Sequence, residues 1–236
     1  MPSPAATYSE LGSSLELRPD SVKHYTRLLA TSGAVLDVGG RNKESESAAR
    51  LVAHGADLSA LTCTDILEKY EPDLVDDITA TNIPPESFDG VYCLAVLEHV
   101  TEYPAAVANI RTILRPGGQA LFYVPFMYDF HDEMDYHRFT ITELKRMLNG
   151  FSEVKVFAPQ NGGYGWLLLY VLTYGVIEKW PHVHNFFAKP INSVVGVGFR
   201  LLYRLGKRGG ATSADQLAHW GVHLNFNHGF YAWVRK

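Results

Sequence analysis

The sequence predicts an α/β fold in which helices cover both faces of a mostly parallel β-sheet. Apolar runs of strand length alternate with stretches of helical periodicity through the first two thirds of the chain. The first run, 35–38, leads directly into Gly39 and Gly40, which let a ligand approach the backbone. Further along, Pro116 ends a helix before the next strand. These features predict a sheet whose carboxyl edge holds a ligand.

The individual elements follow from turn residues and periodicity. Gly33 and Gly55 end the first two helices, and Thr140 opens a later one as an N-cap with Glu143 three residues on. Gly117 and Gly118 turn the chain into the fifth strand. The predicted strands are 35–38, 61–64, 73–75, 90–94, 119–124, 154–158 and a last one within 229–236. The predicted helices are 18–32, 43–54, 101–114 and the one that Thr140 opens.

Composition and cysteine usage limit the class of protein. The chain has 236 residues, 47% of them hydrophobic and 19% charged, which suits one soluble domain with a large core. We expect a single domain over 1–236, with a core of 18–162 and 224–236 and an insertion at 163–223.

Cys63 and Cys93 fall in buried strands and indicate a reducing compartment. The N-terminus lacks a signal-peptide pattern, so we expect a cytoplasmic protein.

Charge is distributed unevenly between the two parts of the chain. Residues 1–162 carry 13 Lys and Arg against 23 Asp and Glu, a formal charge of −10, whereas residues 163–236 carry 8 against 2, a charge of +6. A basic, apolar C-terminal third favours an anionic surface or partner. Basic residues are few and the larger part repels phosphate, so nucleic acid is not an expected partner.

Three segments in this order resemble the class I S-adenosylmethionine-dependent methyltransferases. They are Val35-Leu-Asp-Val-Gly-Gly40, Phe88-Asp-Gly-Val-Tyr-Cys-Leu-Ala-Val-Leu-Glu-His-Val100, and Leu114-Arg-Pro-Gly-Gly118 with the strand that follows. The resemblance implies a Rossmann-like, doubly wound, seven-stranded sheet whose antiparallel last strand lies beside the sixth. It also implies S-adenosylmethionine as the cofactor.

The cofactor-binding residues follow partly from the resemblance. Asp37 matches the family acid that contacts the methionine end, and Gly39 and Gly40 permit close approach there. Asp65 ends the second strand where a nucleoside-binding βαβ unit places a ribose-binding carboxylate. Asp77 resembles the acid that accepts from the adenine amino group, a role that Asp76 would fill equally well. Leu94 is placed at the cofactor by its position at the end of the fourth strand. Asp65 and Asp77 also suit turn or cap positions.

The glycine loop departs from the commonest family pattern. Arg41 and Lys43 stand where further glycines are usual, so either the loop takes a different path or Arg41 folds away from the cofactor. The missing glycines also argue against a dinucleotide-binding enzyme.

The segment Phe130-His-Asp-Glu-Met-Asp-Tyr-His-Arg-Phe-Thr140 provides the candidates for acceptor chemistry. It follows the fifth strand at the ligand edge and resembles a segment found in methyltransferases of sugars, lipids or secondary metabolites. His131, Asp135 and His137 are the candidates for a general base or for acceptor contacts. In the alternative interpretation, Asp135 and Arg138 only hold the loop in place.

His99, beyond the fourth strand, is a further base candidate and equally suits a structural hydrogen bond at a helix start. A metal ion bound by His131, Asp132, Asp135 and His137 has a plausible ligand chemistry. No spacing among these residues is diagnostic, so we expect no metal.

The insertion before the last strand contains two apolar stretches. Residues 162–177 carry no charge but are too short to span a bilayer, and 194–208 places Arg200, Arg204 and Arg208 opposite Val195, Phe199 and Leu202. We expect a lid that rests on an anionic membrane or admits a hydrophobic acceptor. A homodimer interface or ordinary core is the alternative.

The sequence therefore predicts a methyltransferase that modifies a small, hydroxyl-bearing acceptor, such as a glycan, a lipid-linked intermediate or a secondary metabolite. Methyl transfer is an in-line displacement for which the protein mainly supplies geometry, worth roughly 7–11 kcal/mol. The alternative function is a methyltransferase-like binding protein or membrane adaptor that has lost cofactor affinity through Arg41 and Lys43.

Overall fold

The computed structural model describes residues 21–128, 130–158, 168, 181–205 and 227–236. The chain forms two compact units. The described part of the larger unit comprises residues 21–125, 130–157 and 230–236. The described part of the smaller unit comprises residues 126–128, 158, 168, 181–205 and 227–229.

The larger unit is built on a seven-stranded sheet. Its strands, in chain order, are β1 (Val35–Val38), β2 (Leu61–Asp65), β3 (Leu74–Val75), β4 (Phe88–Leu94), β5 (Leu114–Pro125), β6 (Glu153–Phe157) and β7 (Gly229–Arg235). Across the sheet the order is β3-β2-β1-β4-β5-β7-β6. Neighbours from β3 to β5 pair in parallel, and β6 pairs with β7 antiparallel. The predicted α/β fold, with its antiparallel last strand beside the sixth, is confirmed.

Five helices and two short 3₁₀ helices connect the described strands. The helices are α1 (Ser21–Ala30), α2 (Glu46–Ala53), α3 (Tyr103–Ile113), α4 (Ile141–Met147) and α5 (Pro181–Leu205). The 3₁₀ helices are Glu68–Tyr70 and Leu97–His99. The Ser45 side chain caps α2 by accepting from the amide of Ala48, and the Thr140 side chain caps α4 by accepting from Glu143. The Glu143 carboxylate accepts from Tyr103 and Arg146.

The fifth strand begins earlier than the sequence predicts. Leu114 already pairs with Phe88, and the register shifts before Gly90 meets Gln119. Gly117 lies in this irregular stretch with φ of 77°, a conformation that glycine adopts without strain. The prediction that Pro116 ends a helix and that the glycines start the next strand is therefore wrong: α3 ends at Ile113, and Pro116, Gly117 and Gly118 lie in an irregular part of β5.

The core surrounds the first, second and fourth strands. Val35, Leu61 and Cys63 pack with Leu29 of α1 and Leu51 of α2, all of them fully or nearly fully buried. Cys63 and Cys93 are both buried free thiols, as the sequence predicts. Burial of both faces of the central strands leaves the carboxyl edge as the place where polar side chains gather.

The smaller unit contains α5, a helix of 25 residues with Pro190 inside it. The amide groups of Phe126 and Met127 donate to the carbonyl groups of His228 and Asn227 in the same unit. The predicted basic helix 194–208 falls partly on α5, whereas Arg208 and most of the uncharged segment 162–177 lie outside the described residues. No helix in the described part of the chain is long and apolar enough to cross a bilayer.

Candidate active site

A glycine turn after β1 forms a cradle around the carboxylate of Asp37. A β-carbon on Gly40 would lie 2.2 Å from Oδ2 of Asp37, and one on Gly39 would lie 2.8 Å from Cγ2 of Val96. Gly39 also has a φ of 67°. Any side chain at either position would collide with these atoms, so the turn requires glycine to pass this close to the acid and to Val96.

Asp37 is buried, and one of its oxygens has no hydrogen-bond partner among the residues that the structure describes. Its exposed fraction is 1%, and Oδ2 accepts no hydrogen bond from any described residue. Burial raises the pKa of Asp37 from 3.8 to about 7, against the opposing effects of a Ser47 hydrogen bond and the Arg50 charge. A buried acceptor of this kind is costly unless a donor meets it.

Arg41 and Lys43 turn towards the residues that follow β2. The guanidinium carbon of Arg41 lies 4.7 Å above the centre of the Tyr70 ring, and Nζ of Lys43 lies 3.6 Å from a carboxylate oxygen of Asp73. The Asn42 side chain donates to the carbonyl of Tyr70. Arg41 adopts a φ of 61°, an unusual conformation for a non-glycine residue. In place of the glycines that are usual in this loop, the chain therefore has side chains that contact Tyr70 and Asp73.

The other predicted cofactor residues lie at the carboxyl edge of the sheet. Asp65 ends β2, and its Oδ1 accepts from the amide of Leu67 at 2.9 Å. Asp77 follows β3 and accepts from both the amide and the hydroxyl of Thr79, whereas Asp76 accepts from the amide of Asn82. Each acid therefore makes the local turn contacts of the structural interpretation. Leu94 is half-buried at the end of β4.

The turn after β4 contacts both the glycine turn after β1 and the loop after β5. Val96, which limits the space at Gly39, immediately precedes the 3₁₀ helix Leu97–His99. The carbonyl of Glu98 accepts from the amides of Tyr136 and His137, at 2.8 Å and 3.3 Å. These bonds fix the loop after β5 against the turn after β4.

Within that loop, Asp135 is held by Arg138 and contacts His131. Both terminal nitrogens of Arg138 donate to the Asp135 carboxylate, and the Asp135 side chain is fully buried. Oδ2 of Asp135 lies 3.1 Å from Nδ1 of His131. The Arg138 hydrogen bonds lower the pKa of Asp135 to about 2. An acid that stays ionised and is pinned in this way orients the His131 ring rather than exchanging protons itself.

His99 and His131 lie side by side, with ring centres 5.2 Å apart. Nδ1 of His99 lies 3.0 Å from the carbonyl oxygen of Met134, and Nε2 lies 4.0 Å from Oε1 of Glu98. The structure therefore brings two of the predicted base candidates together. It places them beside Glu98, which sequence reasoning missed.

His137 has different surroundings. Its ring packs edge-on against Tyr103, with centres 5.0 Å apart, and tilted against Phe139 at 5.7 Å. Nε2 is buried and accepts or donates no hydrogen bond among the described residues. The aromatic contacts support a packing role for His137 under α4.

Glu98 is the clearest residue that the sequence left unassigned. Its side chain is 1% exposed, Oε2 has no hydrogen-bond partner in the described structure, and burial raises its pKa. The sequence feature that could have identified it is its position between Leu97 and His99, just after a buried strand. Charged side chains are rarely fully buried unless they are paired, so a buried glutamate is a candidate for a functional role. Arg50, whose charge acts on Asp37, was likewise not singled out.

Comparison with protein families gives one match that covers the glycine turn, β4 and most of β5. A family model described as "Methyltransferase domain" matches residues 36–122. These residues contain Asp37, Asp65, Asp77 and the turn with Glu98 and His99. They end before the loop that holds His131.

Two curated relatives carry the name "Ubiquinone biosynthesis O-methyltransferase". The relative from Xanthomonas euvesicatoria pv. vesicatoria (strain 85-10) is 34% identical over 119 residues, which is 44% of this chain and 48% of the relative. The one from Paraburkholderia xenovorans (strain LB400) is 39% identical over 104 residues, 39% of this chain and 44% of the relative. The chain thus spans about half the length of the curated relatives it matches.

A solved structure agrees with the fold over nearly the whole chain. It is a SAM-dependent methyltransferase from Archaeoglobus fulgidus, with a TM-score of 0.53 and 16% sequence identity, covering 98% of this chain and 100% of that one. At this identity the match supports the fold alone.

Proposed function

We propose that this chain is a class I S-adenosylmethionine-dependent methyltransferase that methylates a hydroxyl group of a small acceptor. The observation that carries the proposal is the cradle of Asp37, Gly39 and Gly40, which opens on the same edge of the sheet as His131 and Asp135. One side of this edge is suited to a charged cofactor and the other to an acceptor.

The residues of the cradle fit S-adenosylmethionine. Oδ2 of Asp37 is a buried acceptor without a partner among the described residues, and the cofactor's methionine end carries an ammonium donor. Gly39 and Gly40 have no side chain, so their backbone lies close to this carboxylate and to Val96. Asp65 and Asp77 each use Oδ1 for local bonds, and we assign the ribose to Asp65 and the adenine edge to Asp77, with Asp76 as the alternative for adenine. Leu94 would contribute an apolar wall.

S-Adenosylmethionine supplies a methyl group on an activated sulfonium leaving group. The acceptor oxygen forms a bond to the methyl carbon as the carbon–sulfur bond breaks, and the hydroxyl proton passes to a base. We assign that base to His131, because Asp135 holds Nδ1 and Arg138 holds Asp135. His99 is the second candidate. The contacts of Asp135 support a positioning role, and those of His137 support packing.

Oxygen is favoured as the methylated atom for two reasons. A histidine oriented by an ionised carboxylate is suited to remove a hydroxyl proton, which has to leave when an oxygen is methylated. The curated relatives are also named O-methyltransferases. A glycan, a lipid-linked intermediate or a secondary metabolite is the proposed acceptor class.

The test is transfer of a labelled methyl group to matched acceptors. The full chain is incubated with S-adenosylmethionine labelled in its methyl group and with phenolic, sugar and amine acceptors of similar size. The proposal expects label on hydroxyl-bearing acceptors, and at least a tenfold loss of rate in His131→Asn. Transfer to amines alone would contradict the oxygen assignment.

The helix α5 supports a further proposal about the acceptor. Phe186, Phe187, Val194, Val197 and Leu201 are exposed on it, with exposed fractions of 73% and 72% for Phe186 and Val194, and Lys189 lies among them. We propose that this apolar face contacts an anionic membrane or a lipid-like acceptor, with a homodimer contact as the alternative.

The double variant Phe186→Ser, Val194→Ser tests this proposal. Co-sedimentation with anionic vesicles that this variant abolishes would support the membrane contact. A monomer–dimer equilibrium that the same pair shifts, without vesicle binding, would support the dimer.

The non-catalytic alternative lacks support from the loop that suggested it. Arg41 and Lys43 make their contacts with Tyr70 and Asp73, away from the Asp37 carboxylate. The polar residues of the edge, Glu98, His99 and His131, would also have no evident use in an adaptor.

A further inference from the structure

Three side chains with metal-ligating atoms meet at the carboxyl ends of β4 and β5. Glu98, His99 and His131 each offer one ligand atom, and these atoms all lie within 4.8 Å of one another. Glu98 and His99 come from the turn after β4, whereas His131 comes from the loop after β5. The bonds from Tyr136 and His137 to the Glu98 carbonyl hold these two segments together.

The carboxylate of Glu98 gives this cluster a buried negative charge that suits a cation. Its side chain is 1% exposed, and Oε2 meets no hydrogen-bond donor among the described residues. A buried polar atom without a partner costs about 1–3 kcal/mol, and more when it is charged. A cation placed between Glu98 and the two imidazoles would remove this cost, because carboxylate oxygen is a good ligand for divalent ions.

In both histidines, Nδ1 has the kind of contact that is usual for a histidine that binds a metal through Nε2. Nδ1 of His131 lies 3.1 Å from Oδ2 of Asp135, and Nδ1 of His99 lies 3.0 Å from the Met134 carbonyl oxygen. Histidines that bind metal usually donate their other ring N–H to a carboxylate or a backbone carbonyl, which fixes the tautomer. Both rings would then coordinate through Nε2. Arg138 donates to Asp135 and so holds in place the carboxylate that contacts His131.

We propose that Glu98, His99 and His131 bind one divalent first-row transition-metal ion, for which Zn²⁺ is the best fit. Two imidazoles and one carboxylate form a ligand set of catalytic zinc sites, in which a fourth position stays open. Tetrahedral ligands about 2.0–2.2 Å from zinc lie about 3.3–3.6 Å apart, so the ligand atoms have to approach by roughly 1 Å. His131 permits this movement because its side chain is one third exposed on a loop.

This inference departs from the sequence-based expectation of no metal. The set weighed from sequence was His131, Asp132, Asp135 and His137, all from one loop, and only His131 belongs to the cluster. Asp135 is occupied by Arg138, and the ring of His137 packs among aromatic side chains. The actual grouping depends on the parallel pairing of β4 with β5, which no local spacing reveals.

The use of such an ion rests on the proposed function. An acceptor hydroxyl that fills the open position would have a lowered pKa, because a bound divalent cation stabilises the oxygen anion. In the metal-loaded protein, the two histidines would be ligands, and stabilisation of the acceptor oxygen would pass from His131 to the ion.

The experiment measures metal binding directly, without cofactor or acceptor. The full chain, freed of metal by a chelator, is titrated with Zn²⁺ by calorimetry and with Co²⁺ by visible absorption, with Mg²⁺ for comparison. The proposal expects one Zn²⁺ or Co²⁺ per chain, the Co²⁺ absorption of a low-coordinate site, and much weaker binding of Mg²⁺. Glu98→Gln and His131→Asn should each weaken Zn²⁺ binding at least tenfold.

His54→Asn is the matched control. Nδ1 of His54 also contacts a backbone carbonyl, that of Arg50 at 2.8 Å, but His54 lies at the end of α2 outside the cluster. The control should bind Zn²⁺ as the unchanged protein does. Circular dichroism verifies folding, and His99→Asn replaces any cluster variant that fails to fold.

Two results would overturn the proposal: absence of stoichiometric Zn²⁺ and Co²⁺ binding, or binding that the folded cluster variants retain in full. Labelled-methyl transfer, measured separately with and without chelator, keeps the two claims apart. Transfer without metal binding refutes the metal site alone. Metal binding that the cluster variants lose, in a protein that transfers no methyl group, supports the metal site and refutes the proposed function.

Discussion

The Arg138 guanidinium donates from both terminal nitrogens to the carboxylate of Asp135, with 2.6 Å between Nη2 and Oδ2. Two parallel bonds fix the plane of the carboxylate as well as its position. Since the same carboxylate contacts His131, the geometry of this pair sets the orientation of the imidazole. The orientation of His131, the proposed base, therefore depends on Arg138 through Asp135.

Replacement of Arg138 by lysine tests this dependence. Lysine keeps the charge but cannot form the two-pronged contact, so Asp135 and the His131 ring lose their fixed orientation. We expect Arg138→Lys to lower the rate constant for methyl transfer about 10–100-fold, the range measured when outer-shell partners are lost. The KM for S-adenosylmethionine should stay the same.

The matched control is Arg146→Lys. Arg146 forms a similar two-pronged contact with Glu143, but on the exposed surface of α4. Its replacement should leave the rate within about twofold, because exposed ion pairs contribute little. Equal losses in the two variants would contradict a specific positioning role for Arg138.

The second prediction concerns Asp37 and pH. Burial raises its pKa to about 7, so between about pH 4 and pH 7 the folded protein holds a proton that the unfolded chain has released. Its contribution to the free energy of unfolding therefore decreases as pH rises through that range, by at most roughly 1.4 kcal/mol per pH unit. Above pH 7 the folded protein carries the full cost of a buried charge.

Asp37→Asn removes this titration. We expect the free energy of unfolding of the variant, minus that of the unchanged protein, to be larger at pH 8 than at pH 5. Urea unfolding at both pH values measures this difference. The variant should also bind S-adenosylmethionine at least tenfold more weakly, because the carboxylate is lost. The same pH dependence of unfolding in both proteins would contradict the assignment of the raised pKa to Asp37.

The third prediction tests the glycine cradle. In Gly40→Ala, the new methyl group would lie 2.2 Å from Oδ2 of Asp37, so the carboxylate has to move. We expect a loss of about 1–3 kcal/mol of stability from overpacking and at least a tenfold loss of affinity for S-adenosylmethionine. Gly198→Ala is the control, since a β-carbon there meets no atom within 4 Å. Calorimetric titration that finds the two variants equal would refute the cradle.

The fourth prediction distinguishes an outward Arg41 from an obstructing one. Arg41→Gly removes the contact with the Tyr70 ring, worth about 0.5–1 kcal/mol, and relieves the strain of a φ of 61°, worth about 1–2 kcal/mol. Because the Arg41 guanidinium is held over the Tyr70 ring, we expect affinity for S-adenosylmethionine to change less than about threefold. A tenfold gain in Arg41→Gly would mean that Arg41 blocks the cofactor.

The sequence predicts the sheet well because each strand carries its own signal. The acid and glycines after β1 indicate a turn at a ligand edge, and the alternating residues of β7 indicate a strand, which the family resemblance places beside β6. These signals are local, so they survive without knowledge of the tertiary structure. The early start of β5 escaped prediction because Pro116 and the glycines suggested a turn, whereas pairing with β4 overrides it.

The site is predicted less completely because its groups come from distant segments. His131 and Asp135 share one loop, so the sequence names both as candidates, and the structure adds their contact. The meeting of His131 with His99 and Glu98 depends on the parallel neighbours β4 and β5 and on the bonds to the Glu98 carbonyl. Burial of Glu98 is a property of the packed fold, so a carboxylate beside a histidine gives no sign of it in the sequence.

Titration of the full chain with S-adenosylmethionine and its demethylated product, S-adenosylhomocysteine, tests the central claim most directly. Asp65→Ala serves as the variant of the site, and Asp57→Ala as its control, because Asp57 makes a similar local contact with Ser59 away from the edge. The account predicts micromolar binding of both ligands, lost in Asp65→Ala and kept in Asp57→Ala. A folded protein that binds neither ligand would contradict it.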